Sequence, residues 1–534
     1  MRKFVFVTGG VLSGLGKGVV AASIGLLLKS RGYRVTMQKI DPYLNVDAGT
    51  MNPQEHGEVF VTIDGKETDL DIGRYERFLN EDLTADNYIT TGQVYWNVIH
   101  KERNGEFLGQ TVQIIPHITD EIKRLIRRPV EKDGAEISVV EVGGTVGDIE
   151  GLPFLESLRQ FKEEIPREDI VFVHVTLLPL LASSDELKTK PTQHSVKELR
   201  TIGIQPDIIV ARCNRAIPTA AKEKIALFCS IPPTHVIEDR DLATPYGAPL
   251  ALMEEELDLR VLEKLALPIE SVKLERWEEL IERVTAPAQR VKIGLVGKYI
   301  ELGDSYISIA DAFVHAGAEL NAGVDISLLS AEQLQRDGTD RLLRDLDGVL
   351  VPGGFGERGI EGKVKTITYL RENKIPFFGI CLGMQCAVIE FARNVAGLDR
   401  ANSAEFDPAT LYPVIDLMEE QTQVTQKGGT MRLGEYEAVL CDDSKSFTYY
   451  RCHRIRERHR HRFEFNSAFR EQLTRAGMRV AASSPDGRLV EIIELVDHPW
   501  FVAVQFHPEF RSRLLAPHPL FVGFLNACLT KKSS

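Results

Sequence analysis

The run Ile375-Pro-Phe-Phe-Gly-Ile-Cys381-Leu-Gly-Met-Gln385 constrains this chain more than any other stretch. Its apolar residues end at Ile380, one cysteine follows, and a helical repeat begins at once. Met384, Val388, Phe391 and Val395 share one helix face, and Gly397 is placed to stop the helix. The chain must therefore turn sharply from a buried strand into a helix, and the turn falls on a cysteine. There the positive end of the helix dipole raises the thiolate fraction. Gly379 and Gly383 leave room for the turn and for close approach of a substrate. The backbone N–H after the cysteine is then placed to bind an oxyanion. A cysteine is also a good small core residue, so the pattern needs a partner before it reads as a site.

Trp500-Phe-Val-Ala-Val-Gln-Phe506 supplies that partner. It reads as a buried strand delivering His507-Pro508-Glu509, a base with a carboxylate two residues on to fix its tautomer. Gly379-Ile-Cys381-Leu-Gly-Met-Gln385 and His507-Pro-Glu509 together resemble the class I glutamine amidotransferases. The resemblance implies Cys381 as nucleophile, His507 as base then acid, and Glu509 as orienter. Such enzymes cleave the glutamine side-chain amide through a thioester and pass ammonia to a partner domain. The same family implies glutamine contacts at Leu382, Gly383, Met384 and Gln385. It adds an oxyanion donor near Gly354, an acid for the ammonium group at Glu405, and Arg462 for the α-carboxylate.

A chain of 534 residues has room for three ordinary domains or two large α/β ones. With 43% hydrophobic and 26% charged residues it buries a substantial core rather than staying disordered. A net charge of −13 disfavours nucleic acid as the main partner. Seven cysteines, an odd number without a C-x-x-C pair, point to a reduced, cytoplasmic chain. No signal-peptide pattern precedes the first apolar run, Phe4–Val7, and no run approaches the ~20 residues a bilayer span needs. We expect neither export nor membrane anchoring.

After that first strand comes Thr8-Gly-Gly-Val-Leu-Ser-Gly-Leu-Gly-Lys17-Gly18 and then a helix ending near Ser30–Gly32. Strand, glycine-rich loop, lysine and helix make a phosphate cradle. It departs from a P-loop: five residues, not four, separate Gly10 from Gly16, and Gly18 replaces the Ser/Thr that holds Mg²⁺. Carboxylates elsewhere must then hold the metal. Asp69, Asp71 and Glu141 are candidates, Glu141 closing the strand Ile137–Val140, although a single loop aspartate is more often merely solvated. Gly143-Gly-Thr-Val-Gly-Asp148-Ile-Glu150 is a polar turn at that strand's end. Lys188-Thr-Lys190-Pro-Thr-Gln193-His-Ser follows the strand Val171–Leu178, and reads either as a basic exposed loop or as a second phosphate site. Ile208–Arg212 is a further strand, with Lys222 and Lys224 opening the helix behind it.

These stretches, with Lys39-Ile-Asp-Pro-Tyr-Leu-Asn-Val-Asp, Met51-Asn-Pro-x-x-His56-Gly-Glu-Val and Thr68-Asp-Leu-Asp71, are similar to the synthetase half of the CTP synthase family. With the glutaminase half, the likeness spans nearly the whole chain. It implies an α/β protein of two doubly wound domains with mainly parallel sheets. Residues 1–266 form a P-loop-like synthetase domain, 267–290 a linker around a short helix at Trp277, and 291–534 the class I glutaminase domain. It implies an ATP cradle of Gly14, Leu15, Gly16, Lys17, Gly18 and Val19 with Lys39 and Asp71, and Mg²⁺ on Asp71 and Glu141. UTP, and CTP as feedback inhibitor, would meet Ser13, Asp148, Ile149, Glu150, Lys188, Thr189, Lys190, Pro191, Thr192, Gln193 and Lys224. ATP would phosphorylate the uracil O4, and ammonia from L-glutamine would displace the phosphate along an enclosed route near His56. GTP would activate glutamine hydrolysis, and homotetramers, with filaments a further possibility, would complete the nucleotide sites.

Three features depart from that family. Ser13-Gly14 stands where two serines are common, Asp185 adds an acid before the Lys188 loop, and Phe447–Cys452 is atypical. The basic run Arg451–Arg462 lacks the interleaved aromatics of a single-strand platform, and the acidic chain argues against nucleic acid. Two other readings remain: an ATP-dependent amidase acting on a carboxylate, and a filament or scaffold with a dead site.

Overall fold

The apolar runs at Phe4, Val139, Val171 and Ile208 show no in–out alternation, which suits strands buried on both faces. In the computed structural model, which describes residues 2–52, 56–181, 186–298, 303–418 and 431–533, they are the centre of a parallel sheet. The chain divides into two units: Met1–Ala48 with Arg74–Glu278, and Gly49–Gly73 with Glu279–Ser534.

The first unit holds seven strands: β1 Lys3–Gly9, β2 Val35–Asp41, β3 Tyr88–Thr90, β4 Ile137–Val142, β5 Ile170–Leu177, β6 Ile208–Cys213 and β7 Val236–Arg240. Their order is β7-β6-β5-β1-β4-β2-β3, all parallel. Every residue of β1 and β4 is buried, because helices cover both faces. One face carries the cluster of Phe4, Phe6, Phe161 and Phe172, whose rings meet at 4.9–6.2 Å. Parallel strands put all their carboxyl ends on one edge, where a ligand crevice forms. The stretch before residue 290 is mostly exposed on either side of one helix. The helix Glu275–Thr285 lies there, and Trp277 is buried in the first unit with its indole donating to the Tyr246 carbonyl at 2.9 Å.

The second unit holds β8 Gln289–Gly297, β9 Ala322–Ser330, β10 Gly348–Val351, β11 Phe377–Ile380, β12 Arg432–Leu440, β13 Arg454–His461, β14 Met478–Ser483, β15 Val490–Leu495 and β16 Phe501–Val504. Their order is β9-β8-β10-β11-β16-β15-β14-β12-β13. The first five strands pair parallel and the rest antiparallel, so this sheet is mixed. The excursion Gly49–Gly73 belongs here, although in chain order it falls within the first unit's sequence. It carries a hairpin of two-residue strands, Phe60–Val61 and Glu67–Thr68. The Phe60 ring packs 5.1 Å from Phe510.

Candidate active site

Strand β11 ends at Ile380 and the helix Leu382–Asn394 starts two residues later, leaving Cys381 between them. Cys381 has φ 51° and ψ −103°, a strained backbone that tertiary contacts must hold. Its N–H donates to the Val504 carbonyl on β16 at 2.7 Å. Gly383 is required because a Cβ there would lie 2.0 Å from the Val351 carbonyl oxygen. The helix is buried on nearly all sides from Leu382 to Ala392, which no single apolar stripe would suggest. Val395, expected on its buried face, lies beyond the helix end and is 39% exposed.

His507 follows β16, with its Nδ1 2.7 Å from Glu509 Oε1 and its ring stacked on Phe510 at 5.0 Å. That bond fixes Nε2 as the working nitrogen. Nε2 is buried without a partner at hydrogen-bond geometry among the described residues. A Cβ on Gly353 would stand 3.6 Å from both Cys381 Cβ and His507 Nε2, so nucleophile and base converge beside the turn after β10. Burial opposes a charge on His507. The Glu509 carboxylate and the Cys381 sulfur outweigh it and raise the imidazole to about 10. A thiolate–imidazolium pair is what nucleophilic attack on an amide needs.

Cys381, His507, Glu509, Gly354 and Arg462 line one pocket, with Gly353, Phe355, Tyr306 and Arg460. Gly49, Thr50, Met51 and Glu58 form part of its wall. Glu58 accepts from the Ser308 N–H at 3.0 Å and so anchors the excursion at the start of the helix Ile307–Leu320. Leu382, Gly383, Met384 and Gln385 do not line this pocket. Gln385 is buried and donates to the Phe463 carbonyl at 2.8 Å. Glu405 lies behind the Gly354 turn, accepting from the Gly356 N–H at 2.9 Å. Burial raises its carboxyl, against the Gly356 N–H and Lys298. Lys298 holds the same turn through the Phe355 and Gly356 carbonyls, each at 2.6 Å. Sequence reasoning missed Arg460, Tyr306 and the wall of Gly49, Thr50, Met51 and Glu58. Arg460 had a signal, since it stands two residues from Arg462 in the basic run.

The first part of that basic run, with Arg451, His453, Arg454 and Arg456, is exposed, and its second part turns inward. Arg458, His459 and His461 are each at most 2% exposed. His461 Nδ1 lies 3.0 Å from the Phe463 carbonyl and must donate to it, so His461 Nε2 accepts from His459 Nδ1 at 3.0 Å. Burial, with Arg432, keeps both imidazoles well below their usual range.

At the carboxyl edge of the first sheet, Gly14 and Gly16 sit at φ 75° and 90°, and Gly16 precedes the helix Lys17–Ser30 that carries Gly18 and Val19. The Lys17 ammonium donates to the Gly144 carbonyl, and the Val146 N–H donates to the Gly9 carbonyl at 2.8 Å. These bonds bring the Gly143–Glu150 turn against the loop of Ser13 and Leu15. Asp148 accepts from the Thr145 N–H at 2.7 Å, while Ile149 and Glu150 are exposed. Lys190, Pro191, Thr192 and Gln193 open the helix Lys190–Thr201. Thr192 is buried against Thr176 at 2.6 Å, and Gln193 donates to Thr189 at 3.1 Å. The first bond ties the helix start to β5. Lys188 pairs with Glu186, and Lys224 is exposed on the helix Thr219–Cys229. Asp185 lies outside the described residues. His174, between Thr8 at 2.9 Å and Ser195 at 2.7 Å, ties β1 and β5 to this edge, and burial lowers it to about 3.

Residues 3–267 match the family model described as CTP synthase N-terminus, and residues 301–527 that of class I glutamine amidotransferase. A CTP synthase of Caldanaerobacter subterraneus is 56% identical over 532 residues, covering 100% of this chain and 99% of the relative. That of Carboxydothermus hydrogenoformans is 57% identical over 529 residues, 99% of each. The chain belongs to the CTP synthase family. A solved glutaminase domain of a Trypanosoma brucei CTP synthase, with bound acivicin, is 38% identical, covers 45% of this chain and 94% of its own, and superposes with a TM-score of 0.43.

A CTP synthase needs ATP, so the carboxylates must suit Mg²⁺. Glu141, at the end of β4, is buried, holds Lys39 at 2.9 Å and accepts from the Tyr75 hydroxyl. Asp71, in the second unit, opens the helix Leu70–Leu79 and donates its N–H to Asp69 at 2.9 Å. Among the described residues no group of three His, Cys, Asp or Glu side chains could hold a metal alone. Each carboxylate is by itself a hard oxygen donor of the kind Mg²⁺ takes beside nucleotide phosphates and water. No helix among the described residues is long and apolar enough to cross a membrane.

Proposed function

We propose that this chain converts UTP to CTP, using ATP and the amide nitrogen of glutamine, as the last step of pyrimidine nucleotide synthesis. The convergence of Cys381, His507 and Glu509 beside Gly353 carries the glutaminase half of this reading. Full-length kinship with CTP synthases supports the synthetase half.

Glutamine enters the pocket with its α-carboxylate at Arg462 and its ammonium toward the Glu405 side. The Cys381 thiolate attacks the amide carbon, and N–H groups near Gly354 and Leu382 receive the oxyanion. His507 gives its proton to the leaving ammonia, then takes one from the water that hydrolyses the thioester. The ammonia travels an enclosed route to the uracil.

There the glycines of 14–18, Lys17 and Lys39 hold ATP, which phosphorylates O4 of UTP. Mg²⁺ on Asp71 and Glu141 would offset phosphate charge when bound. Lys188, Lys190, Gln193 and Lys224, with Ser13 and the 148–150 turn, bind the pyrimidine nucleotide. CTP would inhibit by sharing those residues, GTP would activate glutamine hydrolysis, and homotetramers in the cytoplasm would be the working assembly. We assign residues 1–266 to the synthetase domain, 267–290 to a linker and 291–534 to the glutaminase domain, with Gly49–Gly73 lent to the glutaminase pocket. The test is CTP formation, followed by absorbance, from UTP, ATP and Mg²⁺ with ammonia and then with glutamine, each with and without GTP. No conversion with ammonia would overturn the reading.

A further inference from the structure

Arg460 meets three edges of the glutamine pocket. Its carbonyl, on β13, lies 3.9 Å from Cys381 Sγ. Its guanidinium lies 5.0 Å from the centroid of Phe355, in the turn that follows Gly353 and Gly354. Its Nε is 2.8 Å from Glu67 Oε1, and its Nη2 reaches the Gly49 carbonyl at 3.4 Å. The ion pair is sealed: the Glu67 side chain is 1% exposed and that of Arg460 13%. The carboxylate is also clamped from its far side, since a Cβ on Gly49 would lie 2.0 Å from Glu67 Oε2. Glu67 itself sits on the short hairpin, where Thr68 bonds back to the Phe60 carbonyl at 3.2 Å.

We propose that Glu67 is a positioning residue for glutamine hydrolysis. It acts through Arg460, fixing the strand that walls the Cys381 sulfur and the Gly49–Met51 wall beside it. The inference rests on the reading of Cys381 as the nucleophile. Its physical basis is that a buried guanidinium stripped of its carboxylate cannot stay where it is. It must move toward water or another acceptor, and the strand carbonyl attached to it moves too. Near-attack geometry at the sulfur tolerates little such displacement.

The test compares Glu67→Gln and Glu67→Ala in the full chain with the parent. Three rates are read: glutamate release from glutamine, CTP formation from ammonia, and alkylation of Cys381 by iodoacetamide across pH. We expect glutamate release to fall on the order of 10–100-fold in Glu67→Ala, chiefly in kcat, and less in Glu67→Gln, which keeps a hydrogen bond. Cys381 alkylation should change rate and pH profile in both, with ammonia-dependent synthesis within about twofold of the parent. Glutamate release and alkylation both within about twofold of the parent would overturn the proposal. So would a parallel loss of glutamine- and ammonia-dependent synthesis, or a rise in KM alone with alkylation unchanged. If Glu67→Ala does not fold, Glu67→Gln decides by the same three rates. A parent that makes no CTP from ammonia refutes the function proposed above, while the glutamate and alkylation rates still judge Glu67.

Discussion

Around Cys381 the charged groups stand in place before any substrate arrives. His507 is held by Glu509 at 2.7 Å, Arg460 by Glu67 at 2.8 Å, and these four side chains are largely or wholly buried. At the carboxyl edge of the first sheet, Asp148, Ile149, Glu150, Lys190 and Lys224 are exposed, and Gly14 adopts a left-handed turn open to solvent. The difference follows from the chemistry each region must perform. A thiol can attack an amide only if its proton has a prepared destination, so the groups that hold that proton are charged and buried in advance. A triphosphate brings its own charge, so lysines and backbone N–H groups need only surround the space it will fill.

The sharpest way to break this contrast is Cys381→Ala. Glutamine-dependent synthesis should fall by on the order of 10⁴-fold or more, with ammonia-dependent synthesis kept. Loss of both would mean that the two regions are not separate sites. Lys17→Met should do the reverse, lowering synthesis from either nitrogen source by on the order of 10²–10³-fold while glutamate release continues. Parallel assays of CTP and glutamate check it.

Glu509→Gln sharpens the claim of a pre-charged thiol site. Without the carboxylate, burial should pull His507 down from about 10, and its alkaline shift, read by NMR of the ring, should shrink. The sign for stability follows. A histidine raised in the fold contributes stability complete below about 6.5 and lost as pH rises through about 10. Unfolding free energy of the parent should therefore decline over that window, and decline less in Glu509→Gln. An unchanged slope in chemical denaturation would contradict this. The smallest effect is expected at Thr192→Val, which breaks the buried Thr176–Thr192 bond within the nucleotide edge. It should cost about 1–2 kcal/mol, seen as a lower denaturation midpoint. No loss there would show that this loop, too, waits on its ligand for order.

Much of both sites was legible in the chain, because it is written in contiguous residues. A strand that ends in one cysteine and becomes a helix can only place the sulfur at the turn, and His507-Pro-Glu509 carries base and orienter within three residues. The glycine loop before Lys17 likewise needs no distant neighbour to read as a phosphate cradle. What the tertiary structure alone decided are pairings across long stretches of chain. Glu67 and Arg460 are 393 residues apart and share no periodicity, yet burial makes each the other's partner. In the basic run that tempts toward polyanion binding, Arg454 and Arg456 stay exposed while the same strand β13 places His459 and His461 among buried acceptors. The Thr192 hydroxyl meets Thr176 on β5 and Gln193 donates to Thr189, pairings that no spacing in the sequence announces. Local covalent order states which chemistry a segment offers. Burial and the need to satisfy every polar group decide which distant residue answers it.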